Sequence, residues 1–272
     1  MRTERGARRA AACGAALVLL LALAGTVVPL VVPLDPYATD LEARLGPPDR
    51  EHPLGQDALG RDVLARLLRG ARLSLSVGAT VVLVSLTVGV VVGATAGWRG
   101  GWVDEAVVRV IDVLLAFPGL LLAIALAAVL GPSLRNVVLA LGLLGWTGYA
   151  RLTRAQVAAL RRREFVQAAQ ALGGGPTRIV ARHLLPLAAP ALLVQATFGM
   201  ASAIVAEASL SFLGVGVPPP LPSWGAMIDE ARPFLVVAPH LVLAPGIALT
   251  LTVLGFQLLG DALGDLMDVR ER

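Results

Sequence analysis

The sequence predicts an all-α polytopic membrane protein with six transmembrane helices. Of its 272 residues, 56% are hydrophobic and only 15% are charged, and the mean hydropathy is +0.76. Soluble domains contain about 45–50% apolar and about 25% charged residues. A helix that crosses a hydrocarbon core of about 30 Å needs about 20 apolar residues. Uncharged stretches of that order occur at 10–34, 73–98, 113–134, 136–150, 184–206 and 233–260.

Two of these stretches need a separate explanation. The stretch at 136–150 is short, so the flanking Arg135 and Arg151 have to extend toward the two membrane interfaces. The first stretch follows a basic start and contains Ala22, Leu23 and Ala24, which resembles a signal-peptide cleavage site. Because that stretch is longer than the usual apolar core of about 7–15 residues in a signal peptide, a first transmembrane helix is favoured.

The basic charge of the chain fits a membrane orientation better than nucleic-acid binding. All 23 basic residues are arginines and the isoelectric point is near 10.4, but the arginines lie in loops between apolar stretches. They are most frequent between residues 151 and 182. Cytoplasmic loops carry an excess of basic residues, so we expect both termini and the 161–186 segment to be cytoplasmic. The single Cys13 cannot form an internal disulfide.

The chain divides into an N-terminal part, 1–72, and a five-helix core, 73–272. Residues 1–72 contain the first helix and an external segment with Val63, Leu64, Leu67 and Leu68 at helical spacing. This spacing predicts an amphipathic helix on the membrane surface. The external loop 211–234 is rich in proline and glycine and is therefore not expected to span the membrane.

The cytoplasmic segment 161–186 has the pattern of a short, bent docking element. A helix is predicted from Arg161 to Leu172, with Gly173 ending it, and a second helical piece is predicted over 177–185 and ended by Pro186. Glu164, Ala168, Ala171 and Leu172 share one side of the first helix, where the small alanines leave room for another protein.

This segment resembles the EAA loop of ABC importer permeases, in which a cytoplasmic helix fits a groove of the ATPase subunit. The matching residues, in order along the chain, are Gln167, Ala168, Ala169, Gly173, His183, Leu184, Leu185 and Pro186. Gln167 stands where the family pattern usually has glutamate, and Glu164 lies one turn earlier. The resemblance therefore implies coupling through shape and the Gly173 turn more than through charge.

Two further segments are similar to the second permease subunit of dipeptide, oligopeptide and nickel importers. They are HPLGQDALGRDVLARLLRGARLSL, from His52, and EASLSFLGVGVPPPLPSWGAMI, from Glu207 to Ile228. The resemblance implies a type I permease fold in a bacterial inner membrane and transport by alternating access. It also implies three kinds of partner: a homologous permease, two ATPase subunits that bind ATP and Mg²⁺, and an extracytoplasmic solute-binding protein. No cofactor is expected in this chain, and the resemblance does not name the solute.

Several charged and aromatic residues outside the loop are candidates for function. Gly60, Arg61, Asp62 and Trp224 are predicted at the external face as contacts for the binding protein or the solute, while an Asp N-cap with a surface Arg explains the first three equally well. Trp224 also fits an anchor at the membrane interface.

Asp112 and Glu207 lie at or near helix ends in the membrane region. Intramembrane acids are functional hypotheses by default, so a proton-coupled secondary transporter remains the alternative function. A third alternative is a membrane scaffold that transports nothing.

No catalytic role is predicted for the chain. The glycines at 173–175 lack the lysine and the preceding strand of a phosphate-binding loop, so ATP hydrolysis has to come from partner subunits. His183 could be a metal ligand or a proton relay, but the other histidines, His52 and His240, are predicted on the opposite side. A structural role for His183 at the end of the loop is therefore favoured over a metal site.

Overall fold

The computed structural model describes residues 4–32 and 35–268, and within them all regular secondary structure is helical. The prediction that both chain termini are cytoplasmic concerns residues outside the described ranges, 1–3 and 269–272. A π-helical stretch, Val180–Leu184, links α7 to α8. The helices are α1 (Glu4–Val31), α2 (Val63–Arg99), α3 (Gly101–Leu115), α4 (Gly119–Leu130), α5 (Leu134–Leu160), α6 (Glu164–Ala171), α7 (Pro176–Ile179), α8 (Leu185–Phe212), α9 (Trp224–Ala231) and α10 (His240–Asp268).

The polytopic all-α prediction is confirmed, and the predicted count of six spans is approximate. Within the described residues, four helical stretches are long and apolar enough to cross a membrane: 8–29, 63–99, 176–212 and 240–267. A fifth span results if α3 and α4 cross together. The 27-residue α5 is about 40 Å long, but its uncharged part is short, as the sequence indicated.

The predicted span 113–134 is wrong as a single helix, because α3 and α4 meet at a bend of 83°. Pro118 lies between the two helices as the N-cap of α4. Proline has no backbone N–H and restricts the residue before it, so a helix ends most easily there.

The predicted surface helix near Val63 is also wrong. Residues 63–99 form one continuous α2, and Val63 and Leu68 are buried in the protein. The division that the sequence suggested between residues 72 and 73 therefore falls inside a helix. The side chain of Asp62 caps this helix by accepting a hydrogen bond of 2.6 Å from the Ala65 N–H.

Glycines bring α2 and α5 close together, and this pair makes the most extensive helix contact in the fold. A Cβ atom on Gly89, Gly93 or Gly97 would lie 2.4–2.6 Å from the nearest atom of α5. Small residues at four-residue spacing allow such close backbone approach in membranes. This four-residue glycine spacing is a sequence signal for the contact between α2 and α5, and the prediction of separate spans did not include it.

The second helical piece does not end at Pro186 as predicted. The chain stays helical from Pro176 through Phe212, so α7, the π-helical stretch and α8 form one rod. Pro186 lies in the first turn of α8. The π-helical stretch directly precedes it, where the Leu185 N–H donates to the carbonyl of Val180, five residues earlier. Local shifts of this kind let a helix accept a proline that cannot donate.

Candidate functional site

The short helix α6 is attached to the ends of α5 and α7 by one buried side chain. Val166 is fully buried in an apolar cluster with Val157 of α5, Ile179 of α7 and Leu184 of the π-helical stretch. The remaining surface of α6 faces outward. The α6 segment is therefore fixed to three helices while most of its surface stays free. The end of the molecule that carries it is called the α6 end below, and the other the α9 end.

The outward surface of α6 combines apolar and uncharged polar groups. Leu172, directly after the helix, is 89% exposed and Phe165 is 43% exposed. Among the predicted coupling residues, Glu164, Gln167 and Ala168 are exposed, and Ala169 is partly buried against the cluster. The Gln167 amide donates a weak hydrogen bond of 3.4 Å to the Arg162 carbonyl. A glutamate at position 167 could not donate this hydrogen bond. It would also add a negative charge to α6, which glutamine does not.

Gly173 ends α6 in a Schellman motif, which confirms the predicted helix stop. Its φ is +80°, its N–H donates to the Gln170 carbonyl at 2.9 Å, and the Gly174 N–H donates to the Ala169 carbonyl at 2.9 Å. A residue with a side chain is strained at such a φ. No atom lies within 4 Å of a Cβ built on Gly173, so the backbone angle, and not space, requires glycine here.

The other predicted coupling residues lie along the rod that leaves α6. His183 is exposed at the end of the π-helical stretch, away from the other described histidines. The residues that the structure describes contain no group of three His, Cys, Asp or Glu side chains arranged to hold a metal ion. Leu185 packs against the Val166 cluster, and Pro186 is exposed.

The two membrane acids have different surroundings. Asp112 is exposed and forms a 3.3 Å ion pair with Arg151. Glu207 is completely buried and accepts hydrogen bonds from the Ser74 hydroxyl of α2, at 3.0 Å, and from the Ser211 hydroxyl, at 2.8 Å. The Ser211 hydroxyl also accepts a 3.2 Å hydrogen bond from the Val217 N–H. Glu207 therefore joins α2, α8 and the loop after α8.

At the α9 end, the predicted contact residues are mostly engaged inside the chain. Gly60, with φ +71°, packs so tightly that a Cβ would lie 1.7 Å from the Asp40 carbonyl oxygen. Asp62 receives a 2.6 Å hydrogen bond from His52 Nδ1, and this bond raises the pKa of His52 above its ordinary value. Trp224 is fully buried and donates to the Leu67 carbonyl at 3.1 Å, so the prediction of an interface anchor is wrong. The role of these residues as partner contacts stays a prediction.

A four-residue charge cluster holds the segment around residues 57–66 to α9. Arg61 contacts Asp57 at 2.6 Å and Glu230 at 2.7 Å, and Arg66 contacts the same two carboxylates at 2.6 and 2.8 Å. The Arg66 side chain is only 2% exposed. The sequence singled out Arg61 but not the other three residues of the cluster. The spacing of Asp57 and Arg61 indicates a local pair, whereas Glu230 lies 169 residues from Arg61 and carries no local signal.

Comparison with known proteins gives one consistent result. The model of the binding-protein-dependent transport system inner membrane component family matches residues 89–272. A dipeptide transport system permease protein of Alkalihalophilus pseudofirmus is 41% identical over 94% of this chain and 84% of its own length. A nickel transport system permease protein of Escherichia coli is 42% identical over 93% and 91%. A glutathione transport system permease protein of Pectobacterium atrosepticum is 42% identical over 81% and 73%.

Proposed function

Because the chain belongs to the family of binding-protein-dependent transport system inner membrane components, we propose that it imports peptides or a related small solute by ATP-driven alternating access. The permeases it resembles carry dipeptides, glutathione and nickel by name. Two of these three solutes contain peptide bonds. A homologous permease, two ATPase subunits and a solute-binding protein complete the proposed importer.

The observation that carries the coupling mechanism is the packing of α6 against the helical rod that includes α8. Val166 fixes α6 to the ends of α5 and α7, and the rod from Pro176 to Phe212 leads from there to the α9 end. In this proposal, a displacement imposed on α6 by an ATPase is passed through the Val166 cluster to a rod that is helical without a break from Pro176 to Phe212. Rigid-body switching of this kind is a common route from a local push to a global change.

In this proposal the α6 end is cytoplasmic and the α9 end is external. The exposed Arg162, Arg163, Arg178 and Arg182 all lie near α6, as expected for a cytoplasmic surface. Leu172 and Phe165 offer the apolar contact to the ATPase, and Gln167 and Ala168 let its surface approach closely. Gly173 sets the direction in which the chain leaves the contact, and the exposed His183 and Pro186 flank it along the rod.

The energy source is tested with the whole importer in proteoliposomes. We expect uptake of a radiolabelled dipeptide that requires internal ATP and persists when the membrane potential and proton gradient are collapsed. Uptake that ignores ATP and follows an imposed proton gradient would instead support the secondary transporter that uses Asp112 and Glu207, and would contradict this proposal.

The ATPase contact is tested with one pair of variants. Leu172→Ala removes an apolar side chain that is 89% exposed in the isolated chain, and Val236→Ala removes one that is 95% exposed near α9. Burying a leucine is worth about 1.5–3 kcal/mol, so Leu172→Ala is expected to weaken ATPase binding about tenfold. Val236→Ala is expected to leave it unchanged. Equal affinities for both variants would remove Leu172 from the contact.

A further inference from the structure

A cavity of about 320 Å³ lies between α2, α4, α5 and α8. Residues 81–85 of α2, 141–149 of α5 and 195–206 of α8 line it, and each of these ranges lies in the middle part of its helix. The volume is at the lower end of the range for small-molecule sites, about 300–1,000 Å³. Most of the wall is apolar, and none of the lining residues is charged. Four polar side chains interrupt this wall: Ser85, Tyr149, Gln195 and Ser202.

These four side chains are poorly satisfied by the protein. Ser85 and Tyr149 are almost completely buried, yet in the part of the chain that the structure describes the hydroxyl of each has a single acceptor, a backbone carbonyl 3.5 Å away. Hydrogen bonds between hydroxyl and carbonyl groups are normally 2.5–3.0 Å long. Gln195 is half-buried and Ser202 is exposed, and among the described residues neither side chain has a hydrogen-bond partner. By contrast, Thr197 and Ser209 of the same helix donate to backbone carbonyls at 2.7 and 2.8 Å.

The polar atoms of Gln195 and Ser202 are accessible rather than sealed in the core, so their hydrogen-bonding capacity is open to a molecule in the cavity. A polar group without a partner in hydrocarbon costs several kcal/mol, and the usual solution in a membrane helix is a bond to the preceding turn. Ser202 is on such a helix and makes no bond of that kind. Polar groups that remain inside a membrane region commonly mark the path of a substrate.

We propose that Ser85, Tyr149, Gln195 and Ser202 form an intramembrane binding site for the uncharged amide groups of a peptide-like solute. This inference rests on the proposed function and goes further by naming the part of the solute that this subunit contacts. The side-chain amide of Gln195 has N–H groups that can donate to the C=O of a peptide bond and a carbonyl oxygen that can accept from its N–H. The hydroxyls of Ser85, Tyr149 and Ser202 add further donors and acceptors around it.

The chemistry of the wall favours amides over charged groups and over a bare metal ion. A charged terminus would be desolvated here without an opposite charge to pair with, which is strongly unfavourable. A transition-metal ion prefers imidazole, thiolate or carboxylate ligands, and the cavity is lined by none of these. The charged ends of a peptide must therefore lie outside this cavity while its amides are inside.

Glycines shape the site from two sides. A Cβ on Gly199 would lie 2.1 Å from the Tyr149 hydroxyl oxygen, and a Cβ on Gly145 would lie 2.5 Å from the Ser85 hydroxyl oxygen. Glycine at these positions lets each hydroxyl reach the space between the helices. The two hydroxyls are thus placed by close packing rather than by hydrogen bonds of normal length.

The first test uses uptake of radiolabelled trialanine by the whole importer in proteoliposomes. Gln195→Leu keeps most of the volume but removes the amide, and Gln257→Leu is the matched control because Gln257 is an exposed glutamine of α10 outside the cavity. Loss of a hydrogen bond to a buried partner lowers kcat/KM about tenfold. We expect that loss for Gln195→Leu at unchanged amounts of assembled complex, and no loss for Gln257→Leu.

Wild-type uptake by Gln195→Leu overturns the inference alone. Absence of ATP-driven uptake by the wild-type complex contradicts both the inference and the proposed function.

The second test does not depend on lost activity. Cys13 is the only cysteine of the chain, so Cys13→Ser provides a background for Ser202→Cys or Gln257→Cys. We expect a small water-soluble thiosulfonate reagent to modify the first variant, and trialanine supplied during turnover to slow that reaction several-fold. Gln257→Cys should show no such protection. An unreactive Ser202→Cys, or equal protection of both variants, would refute the site.

Discussion

The turn at Gly173 allows a prediction in which backbone strain is separated from size. Gly173→Ala and Gly175→Ala both add a methyl group where no atom lies within 4 Å. Gly173 has φ +80°, whereas Gly175 has φ −69°. A left-handed backbone costs an alanine about 1–2 kcal/mol, so the native turn should lose population by about fivefold to thirtyfold in Gly173→Ala. Gly175→Ala should have no such effect.

The assay is peptide-stimulated ATP hydrolysis and uptake by the reconstituted importer. Gly173→Ala is expected to reduce uptake per ATP hydrolysed, because α6 no longer meets the ATPase in one fixed direction, while Gly175→Ala keeps the wild-type ratio. Gly173→Asn is expected to recover part of the loss, since asparagine tolerates this backbone region better than alanine. The same loss in both alanine variants would show that the φ of Gly173 is not what couples the subunits.

The remaining predictions concern the α9 end and the helix contacts, and each is checked by the midpoint of thermal unfolding in detergent. Arg66→Met leaves Arg61 as the one arginine of the cluster that contacts Asp57 and Glu230; breaking a buried ion pair costs about 3–5 kcal/mol, and we expect the lower end because Arg61 remains and Glu230 is 36% exposed. The His52 bond to Asp62 raises the pKa of His52, so its stabilisation is complete below the unfolded pKa, near 6.5, and is lost as the pH rises through the folded pKa. His52→Gln should abolish that pH dependence, and an unchanged profile would contradict it. Gly93→Ala places a Cβ 2.4 Å from an α5 carbonyl oxygen and should cost about 1–3 kcal/mol, whereas Gly246→Ala, with nothing within 4 Å, should not destabilise.

Local chemistry explains which parts of the fold were predicted from the sequence. Gly173 after an alanine-rich helix and Asp62 before α2 are signals in which a few neighbouring residues satisfy one another, and both proved to be correct. Pro186 and Val63 gave the opposite result. Each has a local pattern that indicates a boundary or a separate helix, but the helix continues: the π-helical stretch accommodates Pro186, and Val63 is buried against other parts of the protein.

The candidate site divides in the same way. The α6 surface is a continuous segment, so its exposed residues could be identified from their order in the chain, although the buried role of Val166 could not. The charge cluster and the cavity bring together residues from distant segments. Their partners carry no signal in the sequence near Arg66 or Gln195, because a side chain is paired or left unpaired only when the helices meet.

The sequence by itself determined that the chain is a helical membrane protein and which segment resembles the EAA loop. Hydropathy acts on each stretch of about 20 residues independently, and the turn at Gly173 depends only on its own neighbours. The tertiary structure decided which polar groups are satisfied. Glu207 acquires two serine donors from α2 and its own helix, while Gln195 and Ser202 acquire no partner among the described residues. The physical reason is that hydrogen bonds between helices depend on the packing angle and depth of each helix, which no single segment specifies.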